Sequence, residues 1–257
     1  MIVNKPLVSV IMANYNSEKY IYDSISSVLN QSYNNLELIV IDDNSHDKSK
    51  KIITDNFSID KRLTLIELNK NIGPGLARNK GLEISKGKYI TFLDSDDLWS
   101  LDKLYIQISL MENLSIPISH TDYGYIKSDG KISSNIFRTS NNEVSFKDLL
   151  KRTEISCLTV VYNKEIVGLH FFPSIRRKQD YVVWLNILKK GYNSISIHFV
   201  SGYYRQQSSK KVLLRVGYIY SHFKLLRGNL IGLSLYDSLF YTFLYLSNGL
   251  IRYFKFL

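Results

Sequence analysis

Three carboxylates in four positions, Asp94, Asp96 and Asp97, end the β-branched and aromatic run Ile90 to Leu93 in "ITFLDSDDLW" (90–99). Like charges this close raise one another's pKa unless something positive sits among them. A helix cap needs one acid, and Asp97 or Ser100 could cap the following "LDKLYIQISL". Three acids ask for more. Asp94 and Asp96 alternate around Ser95 and can both address one hard divalent cation. Such cations take oxygen ligands, and Mg2+ uses one or two carboxylates plus substrate phosphates. The expected partner is therefore Mn2+ or Mg2+, completed by a phosphorylated ligand.

A second acidic pair, Asp42 and Asp43 in "DDNS" (42–45), can accept from a ribose hydroxyl or a base N–H. Tyr15 in "NYN" (14–16) offers a ring on which a base could stack, or simply packs at the rim. Arg78 in "GPGLARNKG" can bind phosphate through its fork or pair with a rim carboxylate. No G-x-G-x-x-G follows the first strand and no G-x-x-x-x-G-K-[ST] occurs, so dinucleotide and P-loop readings fail. The five histidines lack metal-like spacing. His120, two residues before Asp122, reads as a surface hydrogen bond, and Cys157 as inert core within a strand.

These residues need a scaffold that brings loop ends together. Apolar runs at 7–13, 36–42, 63–68 and 88–94 read as strands. Helical patterns at 17–32 (with Ser17 a candidate N-cap), 46–57 and 73–86 separate them. That alternation predicts parallel βαβ units, with ligands bound outside the carboxyl ends of the strands. Three of those ends carry the residues singled out above. Further on come a helix at 100–113, a hairpin at 117–132 turning at Asp129-Gly130, and a short helix at 145–152. A strand at 156–163, a helix at 176–192 and closing strands at 193–205 follow.

The 257 residues, 45% hydrophobic, suffice for one α/β domain over 1–207 and a helical tail over 208–257. One cysteine excludes a disulfide framework and a cysteine-based zinc site, which fits a reducing compartment. "MIVNKPLVSVIMANYN" has no signal-peptide pattern, so a cytoplasmic location is expected. A net charge of +10 points to anionic partners. From Gly202 onward there are eight basic residues and one acid, Asp237, among many Leu, Tyr and Phe. That mixture suits a helix lying on an anionic membrane surface, although packing on the domain or on a second copy stays open. No nucleic-acid-binding module is recognisable, and an acidic rim would repel the polymer.

"VSVIMANYNSEKYIYDSISSVLNQSYNNLELIVIDDNSHDKS", "NIGPGLARNKGLEISKGKYITFLDSDDLW" and "QDYVVWLNILKKG" together resemble the family 2 glycosyltransferases, inverting enzymes of the GT-A fold, over residues 6 to about 206. The resemblance implies a UDP-sugar donor, Mn2+ or Mg2+, and a glycan acceptor, lipid-linked at the inner-membrane surface. It implies that Ala13, Tyr15 and Asp43 border the uracil and that Arg78 sits by the nucleotide. Asp94-Ser95-Asp96 is similar to the DxD motif, with Asp96 on the metal and Asp94 near ribose and metal. Asp180 matches the position of the catalytic base. It also stands where an ordinary acid would meet a helix dipole. Two departures bear on activity: Gln179 replaces a common Glu, and "YRQQ" (204–207) ends in Gln207 where His is common. They leave a non-catalytic nucleotide-sugar-binding subunit as the alternative.

Overall fold

The computed structural model describes residues 5–127, 129–139, 142–206 and 216–255. Its centre is β1 (Val8–Asn14), parallel to β2 (Leu36–Asp42) on one side and to β4 (Tyr89–Phe92) on the other, with β3 (Leu63–Glu67) beyond β2. These strands are nearly continuous apolar runs because helices cover both faces. Along β1 the alternation is visible: Val8, Val10 and Met12 enter one core cluster, Ile11 the other.

The connections are α1 (Ile21–Leu29), α2 (Ser49–Phe57) and α3 (Pro74–Ile84). α1 buries Ile21, Ile25, Val28 and Leu29, the periodic face expected from sequence. α3 lies so close to β1 that a Cβ at Gly81 would come within 2.6 Å of Ile11 Cγ2, which explains a glycine inside that helix.

Past β4 come β5 (Leu98–Trp99), α4 (Lys103–Leu114), β6 (Ile118–Ile126), β7 (Ile132–Phe137), β8 (Glu143–Val144) and α5 (Phe146–Lys151). Then follow β9 (Val161–Asn163), α6 (Lys164–Val167), α7 (Gln179–Lys189), β10 (Ser194–Arg205), α8 (Val216–Arg227) and α9 (Leu235–Lys255). The main strand order is β3-β2-β1-β4-β9-β6-β10-β5. β9 runs antiparallel to both β4 and β6, so direction changes beside the acidic loop, while β6 and β10 are parallel. The hairpin forms as expected from β6 and β7, with Gly130 at φ 84° in its turn.

Five local expectations need correction. The strand expected over 156–163 is only Val161–Asn163. The preceding residues turn, because side chains claim their carbonyls: Trp99 Nε1 donates to Leu158 O, Gln107 Nε2 to Thr159 O and Thr91 Oγ1 to Val160 O. Cys157 is thus buried in a turn, not a strand. Ser17 does not cap α1: the helix starts at Ile21 after Tyr20, with no side-chain cap. Nor do Asp97 or Ser100 cap α4, whose N-cap is Asp102. His120 is fully buried rather than at the surface, its ring nitrogens 2.8 Å from Ser194 Oγ and 3.0 Å from Ser196 Oγ.

The two tail helices pack on the domain. Leu226 and Ile231 enter the core cluster with Trp184, and Tyr245 of α9 stands 3.0 Å from Thr153 through its hydroxyl. Among the described residues no helix is long and apolar enough to cross a membrane.

Candidate active site

The loops that leave β1, β2 and β4 meet at one rim, as a doubly wound sheet requires. There they enclose an open cavity of about 500 Å3. Its walls include Ala13, Tyr15, Asp43, Arg78, Asp94, Ser95 and Asp96, so every residue expected around nucleotide or metal lies on it. Tyr15 is 48% exposed there, its ring available to a planar ligand.

The two acids of "DDNS" divide their work. Asp42 is fully buried and accepts from Asn14 Nδ2 (2.7 Å) and Ser45 N (2.9 Å), which binds the ends of β1 and β2 together. Asp43 accepts from Ile72 N (2.7 Å) and Gly73 N (2.8 Å). It thereby fixes the loop entering α3, where Gly73 at φ 88° takes a conformation that favours glycine.

The three acids of the opening motif also separate. Ser95 is pinned between them: its Oγ lies 2.6 Å from Ser17 Oγ, and its carbonyl accepts from Ser24 Oγ at 3.0 Å. Ser17 therefore ties the end of β1 to the acidic loop instead of capping a helix. Asp97 turns inward and accepts from Arg205 N at 2.8 Å. Burial, then the neighbouring Asp94 and Asp96, push its carboxyl well above the usual range. Arg205 Nε donates to the carbonyl of Asp96 at 2.7 Å, and its guanidinium covers the Tyr20 ring at 4.3 Å. Asp94 and Asp96 remain partly exposed on the cavity.

The cation inside this group is Arg78. It is buried, donates from Nη2 to Asp94 Oδ1, and lies 5.3 Å from the centre of the Phe172 ring. Its Nε is buried with no protein partner among the described residues. Burial opposes its charge, but Asp94 and, further off, Asp180 outweigh that and hold its pKa above the ordinary value. Asp180, at the start of α7, feels Arg78 in return. Burial raises its carboxyl, Arg78 pulls it down and Asp94 pushes it up, with a net rise. The structure thus brings Asp180 within electrostatic reach of the cavity, although it is not among the lining residues.

Among the described residues no cluster of three or more His, Cys, Asp and Glu could hold a metal by itself. Two part-exposed carboxylates on one wall, with one oxygen of Asp94 engaged by Arg78, make a hard and incomplete oxygen set. Such a set fits Mg2+ or Mn2+ shared with phosphate oxygens, and does not fit a metal held by protein alone.

Sequence reasoning left out Tyr20 and Asn71, which also line the cavity, and it met Tyr204, a third lining residue, only as the start of "YRQQ". Burial and then Asp97, Asp96 and Asp94 raise the Tyr204 phenol, so it stands close to the acidic loop. The pair Tyr204-Arg205 at the end of β10 was the available signal; its partners Asp96 and Tyr20 lie far away in sequence. Gln179 points to packing: a Cβ on Gly75 would stand 3.2 Å from its Cγ, so it seats α7 on the start of α3. Gln207 lies outside the described residues. Burial pushes the Cys157 thiol well up, in keeping with an inert role.

Residues 9–167 match the family model "Glycosyl transferase family 2". Over 247 residues the chain is 37% identical to UDP-Glc:alpha-D-GlcNAc-diphosphoundecaprenol beta-1,3-glucosyltransferase WfaP of Escherichia coli, covering 96% of this chain and 95% of that protein. It is 40% identical over 201 residues to TuaG of Bacillus subtilis, named for teichuronic acid biosynthesis, covering 78% of this chain and 79% of TuaG. Among solved structures, S. aureus TarS 1-349 in complex with UDP-GlcNAc superposes with a TM-score of 0.66 at 18% identity, over 90% of this chain and 69% of that one. The mannosyltransferase PcManGT from Pyrobaculum calidifontis, in complex with GDP-Man and Mn2+, gives 0.61 at 19% identity, over 88% and 62%. At these identities the structural likeness establishes the fold, an α/β arrangement similar to GT-A glycosyltransferases.

Proposed function

The chain belongs to glycosyl transferase family 2 and is a glycosyltransferase, and from that premise we propose that it moves a sugar from a UDP-sugar, with inversion, to a hydroxyl of a lipid-linked surface glycan. The observation that carries this reading is the single cavity on which Tyr15, Arg78, Asp94 and Asp96 converge. Tyr15 stacks the uracil, with Ala13 and Asp43 beside it. Asp94 and Asp96 hold Mn2+ or Mg2+ in this reading, with Asp96 the main ligand as the resemblance implies, while Asp94 also pairs with Arg78. The bound ion supplies positive charge to the departing diphosphate. Arg78 is positioned to add its own charge there.

Asp180 is the base in this reading. Inverting transfer is an in-line displacement, so one carboxylate must take the acceptor hydroxyl's proton as the oxygen attacks. No second carboxylic acid is needed, because the leaving group is a diphosphate and not a poor alkoxide. The domain and its tail would work at the cytoplasmic face of a membrane. Support for this comes from α9, whose outward Tyr236, Leu239, Phe240 and Phe243 are all exposed.

Calorimetric titration of UDP with Mn2+ and with EDTA, on wild type and Asp96→Ala, tests the donor site. Binding that needs both the ion and Asp96 is expected. Absence of UDP binding under any condition would overturn the reading.

A further inference from the structure

The acceptor side of the site has one residue so far, Asp180. Two relatives, WfaP and WfgD of Escherichia coli, are named for an acceptor sugar joined through a diphosphate to undecaprenol. In such an acceptor a single sugar ring separates the attacking hydroxyl from two phosphates. An enzyme that places the hydroxyl at a base must therefore place those phosphates one ring further on. Cations are needed there, near the base and apart from the donor cavity.

The segment entering α7 contains them. Arg176 and Arg177 are exposed, four and three residues before Asp180, so at most about 14 Å of chain separates them from it. Neither has a hydrogen bond or ion pair to any described residue. They are exceptional in this. The other six arginines with described side chains each donate to a protein oxygen, from Arg62 on Asp60 to Arg227 on Leu233 O. The next residue, Lys178, is not available to a ligand in the same way. Its ammonium lies 2.8 Å from His222 Nδ1 and 4.1 Å from the centre of the Tyr245 ring, anchoring the segment to α8 and α9. Lys178 also takes a left-handed backbone at φ 59°, which a lysine keeps only where its surroundings hold it. Two guanidinium groups with no partner among the described residues thus sit on a held segment that ends at the proposed base.

We infer that Arg176 and Arg177 clamp the acceptor's diphosphate, at a site separate from the metal-dependent donor site. Guanidinium forks match phosphate oxygens in pairs, and the positive end of the α7 dipole lies beside them. The inference rests on the reading of Asp180 as the base that faces the acceptor.

The test uses the full chain saturated with UDP and Mn2+, titrated with an alkyl diphosphate and with an alkyl glycoside that lacks phosphate. Wild type should bind the diphosphate, and the double variant Arg176→Gln, Arg177→Gln should bind it about tenfold or more weakly. UDP affinity and glycoside binding should not change. No binding of the diphosphate to the UDP-loaded wild type, equal binding by the variant, or a parallel loss of UDP affinity would overturn the clamp. A third arm uses anionic phosphatidylglycerol vesicles: an equal loss on vesicles would make the pair a general lipid-phosphate contact and also overturn it. If UDP itself fails to bind the wild type, the functional reading falls, and that outcome is seen before the diphosphate is added.

Discussion

Lys178 Nζ lies 2.8 Å from Nδ1 of His222, joining the residue that opens α7 to the first tail helix. Burial, then the adjacent ammonium, lowers the His222 pKa to about 3, so the ring is neutral and its Nδ1 accepts from Lys178. Tyr245 closes the group from α9, its ring 4.1 Å from that of His222. The tail is thereby part of what positions Asp180, two residues after Lys178.

Tyr245→Ala removes the ring beneath Lys178 and the hydroxyl contact with Thr153. We expect a loss of about 1–3 kcal/mol in denaturant unfolding. In turnover assays kcat should fall while the UDP dissociation constant stays unchanged. Loss of UDP binding instead would show that the tail supports the donor cavity and not α7.

Asp180 can take a proton only when ionised, and its pKa is raised, chiefly by burial. The rate should therefore decline as pH falls through a value above the ordinary carboxylate range of about 4. Arg78 opposes that rise, so in Arg78→Leu the same limb should move to higher pH. Asp180→Asn should cost about 10²–10⁴ in kcat with UDP binding intact. A limb that stays in place in the Arg78 variant would disprove the electrostatic link.

Arg78→Lys keeps the charge but loses the Nη2 donor to Asp94 Oδ1 and the planar contact with Phe172. The variant should be less stable by about 1–3 kcal/mol and bind UDP roughly tenfold more weakly. Calorimetry and thermal unfolding on the same sample read both. Unchanged UDP affinity would assign Arg78 to holding Asp94 alone.

Two buried histidines should destabilise the fold in acid. His120, mainly through burial, and His222 are both lowered from 6.5 to about 3. Between those values the unfolded chain binds protons that the folded one does not, so stability rises with pH. Each histidine contributes about 1.4 kcal/mol per pH unit, lost progressively as pH falls from about 6.5 towards 3. His120→Asn should flatten the pH dependence of the urea midpoint in this window, and an unchanged slope would contradict the assignment.

Periodicity alone placed the first four strands and three helices to within a few residues, because each buries a face whose spacing shows in the chain. β2, expected over 36–42, forms over Leu36–Asp42. The same logic misread residues 156–160, where the backbone turns because Trp99, Gln107 and Thr91 take the carbonyls; no local pattern reports partners so distant.

The site shows the same division. That its acids, Tyr15 and Arg78 gather on one cavity was legible from their position after strands, because the carboxyl ends of a parallel sheet share one rim. What each acid does was not. Asp94 pairs with Arg78, Asp97 receives Arg205 N from β10, and Asp43 holds the turn into α3, although the sequence presents all as similar acids in loops. Tyr204, Arg205 and the Lys178–His222 contact depend on strands and tail helices brought together from opposite ends of the chain. Composition and spacing determine which chemistry this protein can perform. Long-range packing alone decides which carboxylate meets a cation, which is buried and which stays open to a ligand, because burial and opposite charge act through space and not along the chain.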